Sequence, residues 1–580
     1  MGRWGDEREI LRRSERTRAR LWRGIEERRA GLAEIARHIY PAAEDALTLD
    51  AEALADDRDR RDQGRLTLAP IQAFGVCVNG FYSHLTPPNE RWFNLGYPKF
   101  GAYGEDEEDA ANGAYEALTD ATRWLIGWCG AYREVHALYR SLVAFGFGCV
   151  VTSPDRERYV HAECLRPGQY ALGVGADGKV DRLVRRYAMR PSDALEEFGP
   201  EAVGRRVARM AEEGDPGRPL TVWQLIEPHS AGKAGVWRLD AGRFGYRSVY
   251  WCGQCSDGDG GGLLAVRGSK RRPFVAPRIQ CERGEAYGRG FGADVIGHCR
   301  GLQELCESAM DISDQEAHPA MMAPASMADD GLRLEAYAVN YYRDDLHPNA
   351  VYRAVQQGAD PGLTERAAAR LEGEIRRVML NSEFETLDAL RDAGAGGRMT
   401  ATEVQARVSE KLEQLQGIAT TLNDEWLDPF VTLMADYAMD PPEGLPPLAE
   451  PEGAPEPFEI RYESRIHRAA NAATVNAGFD SLQRAGALAE GDPAVMDNFD
   501  ADAIARDVHR RLGGPERWLR KAADRNRIRE ERARARGAER EAQMRQVEAK
   551  TLRDAAAARV DPEDDAGVAA MVDAALEDTE

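Results

Sequence analysis

Apolar residues Ile10, Leu21, Ile25, Leu32, Ile35 and Ile39 form a loose helical stripe through an otherwise charged first forty residues. Such a stripe predicts a helix with one apolar face, ended by Pro41 and the acidic, Arg-rich run to Arg65. A second helical pattern runs from Leu68 to Leu85 and stops at Thr86-Pro87-Pro88, since proline cannot continue a helix and restricts the residue before it. Gly113 to Phe145, rich in Ala, Leu and Trp, reads as a third helix. After Gly146 the period shortens. Gly148 to Thr152, Tyr159 to His161, Gln169 to Leu172, Leu183 to Tyr187, Val222 to Ile226, Val236 to Leu239 and Tyr246 to Trp251 are short strand-like runs. Asp177-Gly178 between two of them marks a hairpin turn, because glycine accepts the positive φ such turns need.

Beyond residue 280 the pattern is mostly helical, at Ala293 to Asp314 and at Leu363 to Leu380 after Asp360-Pro361-Gly362. The span 319–360 is irregular, with a strand-like piece from Leu332 to Tyr342. Thr400-Ala401-Thr402-Glu403 has capping-box spacing and opens the longest apolar stripe. Val404, Val408, Leu412, Leu415, Ile418, Leu422, Trp426, Phe430 and Leu433 follow in steps of three and four, predicting a helix to Tyr437, roughly 57 Å long. Pro441 to Pro457 is a linker by composition, and helical patterns return from Ile466 to Leu512. The chain then turns basic from Arg517 to Arg553 (13 Lys or Arg against 6 acids) and acidic from Asp554 onward (9 acids against one Arg). The expected fold class is α+β.

An apolar fraction of 43% over 580 residues describes a folded chain of several packed layers. No run approaches the roughly twenty apolar residues of a membrane span, and the Arg- and Glu-rich start lacks a signal core. Nine scattered cysteines read as reduced thiols. Charge narrows the choice further. With 98 acids against 76 bases, a net charge of −22 disfavours a protein that grips duplex DNA by displacing counterions. It remains compatible with a surface that lets DNA pass without sticking.

Trp251-Cys252-Gly253-Gln254-Cys255 has the spacing of a thiol–disulfide active site, whose first cysteine needs a helix N-terminus to lower its pKa. Here Ser256-Asp257-Gly258-Asp259-Gly260-Gly261-Gly262 follows, which cannot start a stable helix, so a turn with two incidental thiols is the favoured reading. No second cysteine pair stands at zinc-ligand spacing; neither metal nor cofactor is expected. Gly146-Phe147-Gly148 and Gly288-Arg289-Gly290-Phe291-Gly292 lack the strand–turn–helix context of a dinucleotide site and no Gly-Lys-Ser/Thr follows them. His84 reads as a helix-end residue rather than a base. No catalytic residue is assigned.

Four stretches, in order, resemble the portal (head-to-tail connector) proteins of short-tailed, podovirus-type bacteriophages. Phe81-Tyr82-Ser83-His84-Leu85-Thr86-Pro87-Pro88 before Arg91-Trp92-Phe93 is similar to that family's Leu-x-Pro helix end. Leu142 to Val150 resembles its helix-to-strand turn, Gly284-Glu285-Ala286-Tyr287-Gly288-Arg289-Gly290 the entry to its first stem helix, and Arg398-Met399-Thr400-Ala401-Thr402-Glu403-Val404 the start of its long helix. The resemblance covers roughly residues 10–535. It implies a wing over 1–280, stem helices over 284–318 and 361–381, and a small α/β clip over 319–360 between them. It also implies a tunnel loop over 382–399, a long wing helix over 400–440, a linker and crown over 441–513, and a helical barrel extension with an acidic tail over 514–580.

Function follows the same resemblance: a ring at one capsid vertex through which DNA is packaged and ejected, with no catalysis of its own. The implied partners are eleven further copies in a dodecamer, non-specifically bound double-stranded DNA, the terminase large subunit, major capsid or scaffolding protein and a tail adaptor, with no membrane. The implied location is the virion, and host cytoplasm during assembly. Tunnel-loop candidates are Glu383, Glu385, Asp388, Arg391, Asp392, Gly394, Gly396, Gly397 and Arg398, flexible and of mixed charge. Arg366, Arg370, Arg376 and Arg377 on the second stem helix would meet either DNA phosphates or Glu365, Glu372 and Glu374 of a neighbouring subunit. Arg343, Asp344 and Asp345 would face the motor or adaptor. The alternatives are an internal core or scaffold protein, or a thiol–disulfide protein using Cys252 and Cys255.

Overall fold

The computed structural model describes residues 3–48, 64–96, 105–212, 219–229, 244–255, 262–318, 321–324, 338–342, 352–353, 361–385, 417–449, 458–489, 492–512, 514 and 518–557. Two compact units are present: residues 1–95 with 117–451 and 460–498, and residues 96–116 with 452–459 and 499–580.

In the first unit, the expected N-terminal helix is two, α1 (Arg3–Glu26) and α2 (Arg29–Ile39), followed by short α3 (Glu44–Thr48). Ile10, Ile25, Leu32, Ile35 and Ile39 from the predicted stripe are all buried, so the face survives the break. Helix α4 (Ala69–Leu85) ends where the two prolines require, and strand β1 (Phe93–Gly96) follows. The single helix expected from Gly113 to Phe145 is also two, α5 (Glu105–Trp128), whose residues up to Glu116 belong to the second unit, and α6 (Ala131–Phe145). Gly130 separates them at φ 72°, a left-handed conformation that ends a helix and costs glycine least.

Antiparallel strands carry the next layer. β2 (Val150–Asp155) pairs β3 (Tyr159–Cys164), with Val150 opposite Cys164. Then β4 (Tyr170–Val174) and β5 (Val180–Met189) form the predicted hairpin, with Gly178 at φ 83° in its turn. Three helices, α7 (Pro191–Phe198), α8 (Pro200–Val203) and α9 (Arg205–Glu212), precede β6 (Leu220–Pro228), β7 (Tyr246–Trp251) and β8 (Leu263–Ser269). The sheet order is β4-β5-β6-β7-β8. Val236 to Leu239, expected as a strand, lies outside the described residues. Short β9 (Phe274–Val275) pairs β2 on the smaller sheet.

Both faces of the five-stranded sheet are covered, which is why alternation along its strands is weak in the sequence. Leu220, Val222, Cys252 and Leu264 pack with Ala194, Val203 and Val207 on one face. Val184, Leu225, Val249 and Trp251 pack with Ile10 of α1 on the other. The Arg-rich α1 docks through aromatic contacts: Trp22 meets Trp223 edge-on at 4.8 Å, and the Arg18 guanidinium lies 4.6 Å over the Trp223 ring.

A long helical hairpin follows, α10 (Phe291–Ala317) and α11 (Pro361–Val378), close to the predicted bounds. Between its helices β10 (Met321–Pro324) pairs β11 (Val339–Tyr342) in parallel and β12 (Tyr352–Arg353) antiparallel. The predicted 57-Å helix is described only over its second half. Residues 417–422 are helical, Asn423–Leu427 form a wide π turn, and α12 (Asp428–Met439) continues. Pro429 has no N–H to offer the carbonyl of Glu425, so the α-helical ladder loses a bond just where the turn widens. Strand β13 (Glu459–Tyr462) pairs β1, and α13 (Arg465–Ala489) closes the unit.

The second unit contains α14 (Ala501–Arg511) and α15 (Ala522–Ala557). The Asp500 carboxylate caps α14 by accepting from the N–H groups of Asp502 (2.9 Å) and Ala503 (3.1 Å). Asp502 in turn receives a two-pronged contact from Arg529 of α15, 2.6 Å at each oxygen. No helix among the described residues is long and apolar enough to cross a membrane.

Candidate functional site

The base of the α10–α11 hairpin is built from two glycine-rich segments that would look like phosphate cradles in sequence. They are instead backbone-to-backbone contacts. A Cβ on Gly288 would lie 2.2 Å from the Ile279 carbonyl oxygen, and one on Gly290 2.4 Å from the Gly146 nitrogen. Gly146 adds a φ of 83°. The Ile279 N–H donates to the Gly146 carbonyl at 2.9 Å, and the Arg289 N–H to the Ile279 carbonyl at 3.0 Å. Glycine is required at both segments because no side chain fits. Between them Tyr287 is buried, with its ring 4.8 Å from Phe147; its hydroxyl accepts from the Leu172 N–H at 3.1 Å. Burial pushes the Tyr287 phenol up to about 12.

Arg278 locks this base to the wide turn. Its guanidinium donates to Glu425 at 2.6 and 3.0 Å, to the Gly178 carbonyl at 3.0 Å and to the Glu285 carbonyl at 2.5 Å, while its own N–H reaches Glu425 at 2.9 Å. Arg278 is only 3% exposed. One buried side chain thus ties the β4–β5 turn, the entry to α10 and the π turn before α12 together. Nothing in the sequence signalled it. An arginine and a glutamate 147 positions apart have no pattern to read.

Along the hairpin, Val295, Cys299 and Leu302 of α10 and Ile375 and Met379 of α11 and its exit turn are buried. The His298 ring nitrogen lies 2.9 Å from Glu374, and Arg370 lies 3.3 Å from the same carboxylate. The Arg370 hydrogen bond, reinforced by His298, holds Glu374 below the ordinary carboxylate range. Of the predicted channel residues, Arg366, Arg370, Arg376 and Arg377 are all exposed on α11. The α10 acids Glu304, Glu307, Asp311 and Asp314, also exposed, were not singled out from the sequence, although steps of three and four were there to find.

The expected loop over 382–399 requires a correction at its start. Residues 381–385 continue as a helical turn, and Phe384 is buried against α4. Its ring lies 5.2 Å from Phe81 and 5.7 Å from His84, and a Cβ on Gly80 would sit 2.3 Å from it. Glu383 is buried beside it and accepts from the Ser382 hydroxyl at 2.8 Å, so it belongs to the anchor of the hairpin, not to a projecting loop. Glu385 is exposed. Asp388, Arg391, Asp392, Gly394, Gly396, Gly397 and Arg398 lie outside the described residues, as do Arg343, Asp344 and Asp345.

Two constellations resemble catalysis and fail on burial. His467 Nδ1 lies 2.7 Å from the Ser464 hydroxyl, as a nucleophile–base pair would, but its Nε2 lies 2.9 Å from the Asn423 amide nitrogen. The pair is closed to any substrate. Ser464 is fully buried, and burial lowers His467 to about 4. The second is the cysteine pair. A hydrogen bond from Cys255 lowers Cys252 to about 7 and raises Cys255. Both sulfurs, however, are buried in the core formed with Val203, Val207 and Val222: Cys252 precedes and Cys255 ends a short 3-10 turn over Gly253–Cys255.

The described residues thus present a helical hairpin charged on its solvent faces and rooted in glycine contacts. The chain belongs to the bacteriophage head-to-tail connecting protein family, whose model matches residues 15–519. It is 25% identical over 460 residues to the "probable portal protein" of Bordetella phage BPP-1, covering 78% of this chain and 80% of that one. It is likewise 25% identical over 460 residues to the "portal protein" of Salmonella phage epsilon15, covering 77% and 78%. Proteins of this family are structural components of the virion at the head–tail junction, which sets capsid and tail as the surroundings of this one.

Proposed function

We propose that identical copies of this chain close into a ring whose paired α10 and α11 helices wall a channel for double-stranded DNA. In this reading DNA enters through the ring under a terminase motor during assembly in the host cytoplasm and leaves through it on ejection, at one capsid vertex. The observation that carries it is the α10–α11 hairpin, whose outer faces are charged while its base is fixed by Gly146, Gly288 and Arg278. A rigid hairpin on a broad α/β body suits repetition around an axis, because each copy presents the same two helices at the same angle. The net charge of −22 suits passage rather than grip, since a uniformly basic lumen would trap phosphates in deep wells. A twelvefold ring, the span 319–360 as the motor- and adaptor-facing clip, and residues 386–398 as a loop reaching towards DNA belong to the same proposal.

Negative-stain microscopy of the purified full chain tests it. End-on views should be closed annuli with an axial opening wide enough for a duplex. Filaments, or monomers at every salt concentration, would sink the proposal. Deleting Gly394 to Gly397 should leave rings intact and impair packaging or retention of DNA; native packaging in that variant would remove the loop assignment alone.

A further inference from the structure

Each helix of the hairpin carries a stripe of one sign on its solvent side, set among charges of the other sign: Arg300 on α10, and Glu365, Glu372 and Glu374 on α11. On α10, Glu304, Glu307, Asp311 and Asp314 follow in steps of three, four and three, a single stripe, and all four are exposed. On α11, Arg366, Arg370 and Arg377 share a stripe on the side opposite buried Ile375, and all three are exposed. Arg370 already meets Glu374 of its own helix, but among the described residues no acid of the α10 stripe pairs with an arginine of the α11 stripe. Gly301 packs against Leu371, where a glycine Cβ would lie 3.5 Å from Leu371 Cδ1, so the Arg stripe is centred at that level. The acids are centred about eight residues nearer the tip, a displacement of roughly 12 Å at the helical rise. Among the described residues, Arg366 and Arg377 have no carboxylate within ion-pair distance. The tip also leaves Met310 (54%) and Leu363 (61%) exposed on these same two helices.

We infer that the occupant of each stripe is a second copy of this chain: the acidic stripe of α10 in one subunit packs against the Arg stripe of α11 in the next. The inference deepens the ring reading and rests on it. Complementary stripes on different helices make a contact between unlike surfaces, and repetition of such a contact closes a ring when the rotation permits. The displacement within a hairpin then sets the geometry between hairpins. Neighbours must be staggered by roughly 12 Å or cross obliquely for the stripes to meet. Placing Arg366, Arg370 and Arg377 against carboxylates also removes fixed positive charge from the channel wall, which agrees with a lumen through which DNA slides.

Charge reversal tests this directly on the full chain. The acid-reversed variant (E304K/E307K/D311K) and the base-reversed variant (R366E/R370E/R377E) should each assemble at least tenfold more weakly than the wild type by mass photometry. Mixed in equal amounts they should recover rings, because each then offers its altered stripe to a complementary one. Native mass spectrometry should show the two variants in equal number. Rings formed by either variant alone at wild-type concentration would overturn the inference. So would a base-reversed variant that assembles normally yet packages DNA poorly, since that assigns the arginines to phosphates. Discrete dimers from the mixture would overturn the head-to-tail arrangement. All six substituted side chains are exposed. Should a reversed variant fail to fold by circular dichroism, the wild type still decides: its rings should dissociate with rising salt, and salt-independent assembly would refute the contact. Absence of any closed annulus from the wild type is a separate failure, that of the ring reading itself.

Discussion

Removing the Arg278 guanidinium should release the hairpin base from the wide turn before α12. In R278A, Glu425 loses both guanidinium bonds, and the carbonyls of Gly178 and Glu285 lose a donor. Hydrogen bonds to charged groups contribute about 1.5–3 kcal/mol each, but these share one side chain and do not add. The better guide is the cost of breaking a buried ion pair by deleting one partner, about 3–5 kcal/mol, most of it from the charge left behind. Arg278 is 3% exposed, whereas the Glu425 side chain is 22% exposed. The stranded Glu425 carboxylate can therefore reach some water, which places R278A near the lower figure, at about 3 kcal/mol. The assay is amide hydrogen exchange, because the loss should be local. Protection should fall by about a hundredfold over residues 278–290 and 417–430 and stay unchanged over 522–557. E425A should expose the same two segments, and R278A/E425A should cost less than the two single variants summed. The reasoning fails if R278A changes exchange by less than fivefold, or if the double variant is the plain sum of the singles.

The remaining predictions concern the same unit. G288A should abolish soluble expression or unfold the hairpin base, since its Cβ would stand 2.2 Å from a backbone carbonyl that has no room to move. Soluble G288A with a native melting profile would contradict the contact. His467 gives a pH dependence whose sign is fixed by burial. Its folded-state pKa of about 4 lies below the ordinary 6.5, so below pH 6.5 the unfolded chain binds the proton and the folded one does not. Stability is then complete above pH 6.5 and falls by about 3 kcal/mol as the pH approaches 4. H467Q should flatten that slope in thermal melts between pH 7 and 4; an unchanged slope would place the titration elsewhere.

What could be read from the chain was local. Pro87 and Pro88 marked the end of α4, Gly178 its hairpin, and the steps between apolar residues located α10 and α11 within a few positions, because these follow from backbone sterics and periodicity. The order of four short motifs was enough to place the chain in its family. Three breaks were missed: Glu27-Arg28 lay inside the charged N-terminal stripe, Gly130 was hidden in an Ala- and Leu-rich stretch, and Pro429 sat inside an otherwise continuous apolar stripe.

Tertiary structure alone decided the rest. Whether Gly146 and Gly288 cradle a ligand or each other's backbone depends on which segments fold together across some 140 residues, and chain order does not carry that. Glu383 has the composition of a loop residue, yet its neighbour Phe384 finds the gap left by Gly80 and draws it into the core. Arg278 meets Glu425, and His467 meets Asn423, through packing of distant elements. Sequence sets the period and the breaks because those are properties of adjacent residues. The partners of buried charge are set by the fold, since only there do desolvation and distance become defined.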